Sequence, residues 1–180
     1  MSGSNRRRGV LWLGVVLAVA VFALVFVLGR GIESRRDAAW QQAAERLQGT
    51  FRSGTSCAEL ERFGTPAPWA EWASDGELQC LRAIHGAAGG EPWALVQVRY
   101  SVRQRRGEEQ PDAWYEVTVA ALRRPGAAEG LSPVPAPEGH VAVRNAHSLF
   151  VWKKGSPGAG ASLDASDLPQ LLQAARRVPS

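Results

Sequence analysis

Residues 10–28, VLWLGVVLAVAVFALVFVL, contain no charged side chain and decide how the rest of the chain is organised. In a bilayer, every backbone N–H and C=O of a spanning segment must be paired within that segment, so a single span is helical. At about 1.5 Å per residue, a helix of this length covers roughly 28 Å, close to the hydrocarbon thickness of about 30 Å. The stretch therefore predicts a transmembrane helix, preceded by a basic tail over residues 1–9.

A cleaved signal peptide is the alternative interpretation of this end of the chain. The three arginines at 6–8 would be its basic region, residues 10–17 its apolar run, and Ala18-Val19-Ala20 its cleavage site. Cleavage there would leave residues 21–28 as an apolar new terminus. The longer apolar run favours an uncleaved signal-anchor in the cell membrane.

The charges that flank the span give little information about its orientation. Three arginines at 6–8 precede it, while Arg30, Arg35 and Arg36 follow it, and acidic residues count little in the positive-inside rule. The short basic tail has no domain to translocate, which favours a tail inside and a domain outside the cytosol. We therefore expect an extracytoplasmic domain.

The net charge of +4 comes from the neighbourhood of the span. All 17 acidic residues and 17 of the 21 basic residues lie at position 33 or later, so residues 33–180 sum to zero. Nucleic-acid binding proteins carry a basic excess on the binding domain itself. The composition therefore indicates the lipid bilayer as a partner and argues against nucleic acid.

Two cysteines, Cys57 and Cys80, have 22 residues between them. Outside the cytosol, this pair could form one disulfide, worth about 3 kcal/mol on the loop-entropy account. In the cytosol, both would be buried thiols instead. Their spacing matches no metal-binding pattern, and the sequence leaves both alternatives open.

Hydrophobic periodicity divides the remainder into helices and strands. Helical spacing over residues 34–49 predicts a juxtamembrane helix or stalk within residues 29–49. It either begins at a capping-box sequence at Ser34 or continues the membrane helix. A second capping sequence at Ser56 predicts a short helix, and residues 168–178 a final one. Alternating residues predict strands, at 78–85, 93–102, 114–122, 140–144 and 149–153.

Short connections between these strands favour antiparallel pairing. We therefore predict an α+β domain over residues 50–180, with a sheet of about four to five antiparallel strands and helices on one face. The other face is expected to be wetter, since Gln97, Arg99 and Ser101 alternate with apolar neighbours in one strand.

No catalytic, cofactor-binding or metal-binding motif is present in the sequence. The glycine-rich stretch at 158–162 lacks the lysine of a phosphate loop and does not directly join a strand to a helix, and the three histidines have no ligand spacing. A mixed-charge loop contains Arg103, Arg105 and Arg106, which would contact anionic lipid head groups if the loop lies near the bilayer. A solvated loop without function is the simpler interpretation.

Seven tryptophans are the most unusual feature of the composition. Trp69, Trp72 and Trp93 could form a ligand or partner surface, because flat aromatic faces stack on sugars and prolines. The simpler alternative is that the tryptophans fill the core between sheet and helices.

The chain combines an N-terminal span, a helix WQQAAERL at 40–47, the sequence Gly49-Thr50-Phe51, a run of strands and a final helix. In this layout it resembles uncharacterised bacterial single-pass membrane proteins with a C-terminal α+β domain, a family of unknown function. The resemblance implies no catalytic residues. We expect a membrane-anchored, non-enzymatic interaction domain with a protein partner in the envelope; the alternative is an envelope module that binds a glycan or peptide.

Overall fold

The computed structural model describes residues 3–54, 57–65, 67–72, 76–102, 113–126, 130–155 and 163–179. These residues form two compact units, Met1–Ala38 and Ala39–Ser180. The elements, in chain order, are α1 (Gly3–Arg46), β1 (Thr50–Ser53), a 3₁₀ helix (Cys57–Phe63), α2 (Pro68–Trp72), β2 (Leu78–Ala88), β3 (Glu91–Val102), β4 (Ala113–Leu122), β5 (Ser132–Val134), β6 (His140–Arg144), β7 (Leu149–Lys153) and α3 (Leu168–Arg177).

The first unit, Met1–Ala38, contains the apolar part of α1. Every side chain from residue 15 to residue 36 is exposed, including Phe22 at 78% and Leu17 at 65%. Among the described residues, α1 is the one helix long and apolar enough to cross a membrane. Soluble proteins rarely expose a continuous apolar surface of this size, so a helix of this kind is typical of a segment that meets lipid.

The helix α1 continues without a break through Ser34, as one of the two interpretations of the sequence predicted. The predicted N-cap at Ser34 is wrong, because its Oγ donates to the carbonyl oxygen of Arg30, 2.9 Å away, inside the same helix. Gly29 and Gly31 lower helix propensity but do not force an end. Residues 39–46, the last two turns, belong to the second unit.

The second unit contains an antiparallel sheet, which confirms the predicted sheet type. Its strand order is β1-β2-β3-β4-β7-β6-β5, seven strands in the part of the chain that the structure describes. The prediction of four to five strands is wrong because the two short edge strands lack a clear alternating pattern. β5 contains Pro133, which is tolerated at a sheet edge because its missing N–H is not needed there.

The chain turns from α1 into β1 at Gly49, where the helix approaches the sheet closely. A Cβ at this position would lie 2.8 Å from Ile84 and 2.9 Å from Trp93. Real Cβ atoms do not approach neighbours so closely, so only glycine fits without a shift of the core. The preceding residue, Gln48, has a φ of 54°, in the left-handed region that often ends a helix.

Both faces of the sheet are covered, which corrects the prediction of helices on one face. The helical face carries Trp93 and Leu95 beneath the end of α1 and all of α3. The disulfide face carries Val96 and Val98 beneath the 3₁₀ helix and α2. Two of the three polar residues in the predicted wet positions are buried too, since Gln97 is 3% and Ser101 1% exposed, whereas Arg99 is half-buried. Central strands covered on both faces are apolar nearly throughout, as residues 93–98 are.

The final helix, α3, packs as its spacing predicted. Its apolar stripe is fully buried on the helical face and consists of Leu168, Leu171, Leu172, Ala175 and the following Val178. Two arginines, one just after β4 and one at the end of β6, hold the chain just after the helix. Arg124 Nη1 donates to the carbonyl of Val178 over 2.9 Å, and Arg144 Nη2 donates to that of Pro179 over 2.7 Å.

Candidate functional site

Four half-buried aromatic side chains adjoin one another on the disulfide face; we call Trp72, Tyr100, Tyr115 and Trp152 the aromatic cluster. The ring centroids of Trp72 and Trp152 lie 5.0 Å apart, nearly perpendicular. Trp72 and Tyr100 are 5.6 Å apart, and Tyr100 and Tyr115 are 5.5 Å apart. Such geometries are favourable for aromatic pairs, and each ring retains some access to solvent.

Strand register brings three of these rings together. Tyr100 of β3 is directly opposite Tyr115 of β4, and Trp152 of β7 is opposite Val119, which lies on the same face four residues further along β4. Directly opposed side chains of an antiparallel pair lie close on the same face. The cluster therefore depends on β7 pairing with β4, although 26 residues separate these strands in sequence.

The fourth ring is supplied by the short helix α2. Its first tryptophan, Trp69, is 5% exposed and meets the ring of Phe150 edge-on at 5.4 Å. Trp72 lies three residues later, on the same side of the helix, at the rim of this core. Burial of Trp69 thus fixes the position of Trp72 beside Tyr100 and Trp152.

A disulfide joins the 3₁₀ helix to the sheet on this face. Cys57 and Cys80 are bonded, with their Cα atoms 5.4 Å apart. The other end of the helix is held by Asn145, which is fully buried and whose Nδ2 donates to the carbonyl of Gly64 over 3.3 Å. Asn145 Oδ1 accepts from the N–H groups of His147 and Ser148, at 2.8 and 2.7 Å. The 3₁₀ helix on the disulfide face is therefore held at both ends.

On the helical face, a polar network crosses three adjacent strands, β2, β3 and β4. Arg82 Nη1 donates to Gln97 Oε1 over 2.8 Å, and Gln97 Nε2 donates to Glu116 Oε2 over 3.2 Å. Arg99 Nε completes the network by donating to Glu116 Oε1 over 2.9 Å. Arg82 is 3% exposed, and a buried charge requires such partners. The network fixes β2, β3 and β4 side by side.

Burial within the aromatic cluster raises the pKa of Tyr100 above its usual value near 10, and the neighbouring Tyr115 raises it further. The folded protein therefore retains the phenol proton at a pH where the unfolded chain loses it. This contribution to stability is complete below about pH 10 and disappears as the pH rises through the folded pKa.

As the pH is raised from about 9 to about 11, we expect the thermal midpoint of the full chain in detergent micelles to fall. The fall should be smaller in Tyr100→Phe than in the unchanged protein. Phenylalanine retains the ring contacts but has no proton to lose. Tryptophan fluorescence measures the midpoint, and absorbance of the phenolate follows the titration. Equal falls in both proteins would contradict the assignment to Tyr100.

The structure separates the three tryptophans that the sequence grouped as one surface. Trp93 is 1% exposed and lies in the core of the helical face, whereas Trp69 lies in the core of the opposite face. The three tryptophans therefore do not share one binding surface, because two of them fill cores on opposite sides of the sheet. Trp72 remains accessible, with Trp152 as its neighbour.

The other predicted site residues are placed as follows. Arg103, Arg105 and Arg106 lie outside the described residues, so their contact with lipid head groups stays a prediction. Within the described ranges, no group of three or more His, Cys, Asp or Glu residues could hold a metal ion. Tyr100 and Tyr115 were not among the predicted site residues, because each continues the apolar alternation of its strand and is indistinguishable there from a core position.

The chain matches no protein-family model, no curated protein and no solved structure. The resemblance to single-pass membrane proteins of unknown function therefore stays a prediction from the sequence. The features of the chain that bear on its function are the exposed helix, the disulfide and the aromatic cluster.

Proposed function

We propose that this protein is anchored in a membrane by α1 and that its C-terminal unit is a non-enzymatic interaction domain outside the cytosol. The observation that carries the proposal is the row of exposed apolar side chains along α1 from residue 15 to residue 28. Leu, Val and Phe each favour membrane insertion by about 0.3–0.6 kcal/mol, so this run inserts with several kcal/mol in its favour.

The Cys57–Cys80 disulfide supports the proposed side of the membrane. Disulfides persist in oxidising compartments and are rare in the cytosol, where thiols are kept reduced. Because Cys80 is only 7% exposed, its bond lies within the core of the disulfide face. A bond in this position favours a domain that folds outside the cytosol.

The aromatic cluster supports an interaction function. Tyr and Trp are enriched in protein interfaces because they bury a large area at little cost in side-chain entropy. Here Trp72 and Trp152 are half-buried, and the disulfide and Asn145 hold the layer behind them. A preorganised aromatic surface loses little conformational entropy on binding, which favours recognition of a protein or peptide.

Topology reporters test the proposal directly. An enzyme that is active only outside the cytosol, fused after Ser180, should be active, and a protein that fluoresces only inside should stay dark. The chain should also remain in the membrane pellet after alkaline carbonate extraction. Fluorescence inside would contradict the proposed side, whereas extraction by carbonate would contradict the anchor.

The double variant Leu17→Arg with Leu24→Arg is the matched control for insertion. Each arginine near the centre of a span opposes insertion by about 2.5–3.5 kcal/mol, enough in combination to offset the apolar run. We expect this variant to leave the membrane fraction and lose the outside signal. Retention of both would show that residues 10–28 are not what holds the chain in the membrane.

A further inference from the structure

The helix α1 carries two unpaired positive charges just beyond its apolar run. Arg30 is the first charged residue after residues 10–28, and Arg35 follows it five positions later. Both lie in the first unit, and both side chains are exposed. Among the described residues, neither arginine forms an ion pair with a carboxylate. Each charge is therefore available to an anion from outside the chain.

The guanidinium of Arg30 folds back onto the apolar run. It lies over the ring of Phe26, 4.9 Å from the ring centroid. Side chains of an α-helix lean toward its N-terminus, and here this is the direction of the membrane span. Because Phe26 belongs to residues 10–28, a bilayer matched to this run places the charge of Arg30 level with the edge of the hydrocarbon.

The depth of both arginines in such a bilayer determines which anion they meet. The Cα of Arg30 would lie about 3 Å beyond the run, and that of Arg35 about 10 Å beyond it. The head-group layer extends about 5–8 Å beyond the hydrocarbon. Since its long side chain leans back toward the span, Arg35 also reaches this layer. The anions present at this depth are the phosphate groups of the lipids.

We propose that Arg30 and Arg35 bind the phosphate groups of anionic phospholipids in the leaflet around residues 26–35. A guanidinium presents a planar fork of donors that matches a phosphate. In a zwitterionic lipid the ammonium of the head group partly neutralises this phosphate, whereas an anionic head group has no such cation. The two arginines therefore favour anionic lipids over zwitterionic ones. The inference rests on the proposed membrane anchor.

The third arginine of this stretch, Arg36, is already paired within the helix. Its Nη1 lies 3.6 Å from Glu33 Oε1, and both side chains are about half exposed. The pair carries no net charge, so its removal leaves the charges of Arg30 and Arg35 as they are. This pair therefore provides an internal control for the two arginines that have no carboxylate partner.

Contact quenching of the full chain in lipid vesicles tests the proposal. A fluorophore is attached to Gly29→Cys, where an added Cβ would lie in open space. Cys57 and Cys80 are bonded to each other and take no label. The quencher is a nitroxide near the carbonyl end of an acyl chain, on either phosphatidylglycerol or phosphatidylcholine. We expect the anionic lipid to associate at least about fivefold more strongly, the effect of one arginine near an anionic surface.

Two double variants show which charges are responsible. Arg30→Gln with Arg35→Gln removes both unpaired charges and should make the two lipids quench equally. Glu33→Gln with Arg36→Gln is the matched control, because it replaces the same number of side chains in the same part of the helix without changing the net charge. This control should keep the preference for the anionic lipid.

The possible outcomes separate the inference from the anchor. Vesicles that float without the chain would overturn the anchor. A chain that floats with the vesicles but is quenched equally by both lipids would overturn the inference alone. A preference that survives Arg30→Gln with Arg35→Gln, or that disappears in the control, would overturn it as well. Loss of the preference in inorganic phosphate, but not in chloride of equal ionic strength, would assign the site to free phosphate instead of lipid.

Discussion

Replacing Trp93 by alanine should lower the free energy of unfolding by about 3–5 kcal/mol, the usual cost of removing a buried large aromatic side chain. Trp93 is 1% exposed at the centre of the helical face. Two glycines adjoin it: a Cβ at Gly86 would lie 2.6 Å from its ring, and one at Gly49 would lie 2.9 Å from it. Since no neighbouring side chain at these positions can fill the space, the cavity cannot collapse easily.

Trp114→Ala is the matched control, because it makes the same chemical change at an exposed site. A surface substitution of this kind changes stability by less than about 0.5 kcal/mol. Denaturant unfolding of the full chain in dilute detergent micelles, followed by circular dichroism, measures both variants. Equal losses would show that Trp93 does not support the core as the structure indicates.

The local parts of the fold could be predicted from the sequence. The apolar run in α1 and the alternation in β3 are each visible within one element. An uninterrupted apolar run predicts the first, and the two-residue period of side chains along a strand predicts the second. The bounds of β6 and β7 follow in the same way, from short apolar runs that flank a turn at Asn145.

The parts that depend on distant partners could not be predicted. The sheet face on which Gln97 lies is covered by the last turns of α1 and by α3. Both helices lie far from Gln97 in the sequence, so the sequence near Gln97 does not show that this face is covered. Likewise, nothing near Trp152 indicates that β7 inserts next to β4 and brings this ring to Trp72. Strand alternation predicts that Tyr100 and Tyr115 each lie on one face of the sheet, but it does not show that this part of the face is only half covered.

Reduction of the Cys57–Cys80 bond should lower the free energy of unfolding by about 3 kcal/mol, because an unfolded chain without this crosslink gains conformational freedom. The bond closes a loop over a sequence separation of 23 residues. We expect the thermal midpoint of the full chain in micelles to fall clearly when reductant is added. The double variant Cys57→Ser with Cys80→Ser should show the lower midpoint in both conditions.

The loss should be global rather than confined to the 3₁₀ helix. Phe63, at the end of that helix, is 1% exposed and packs in the same core as Trp69, so its release would also free α2 and Trp72. Hydrogen exchange in β3 should therefore accelerate on reduction together with exchange in the 3₁₀ helix. A midpoint insensitive to reductant would contradict this role, and it would remove the main structural reason to place the domain in an oxidising compartment.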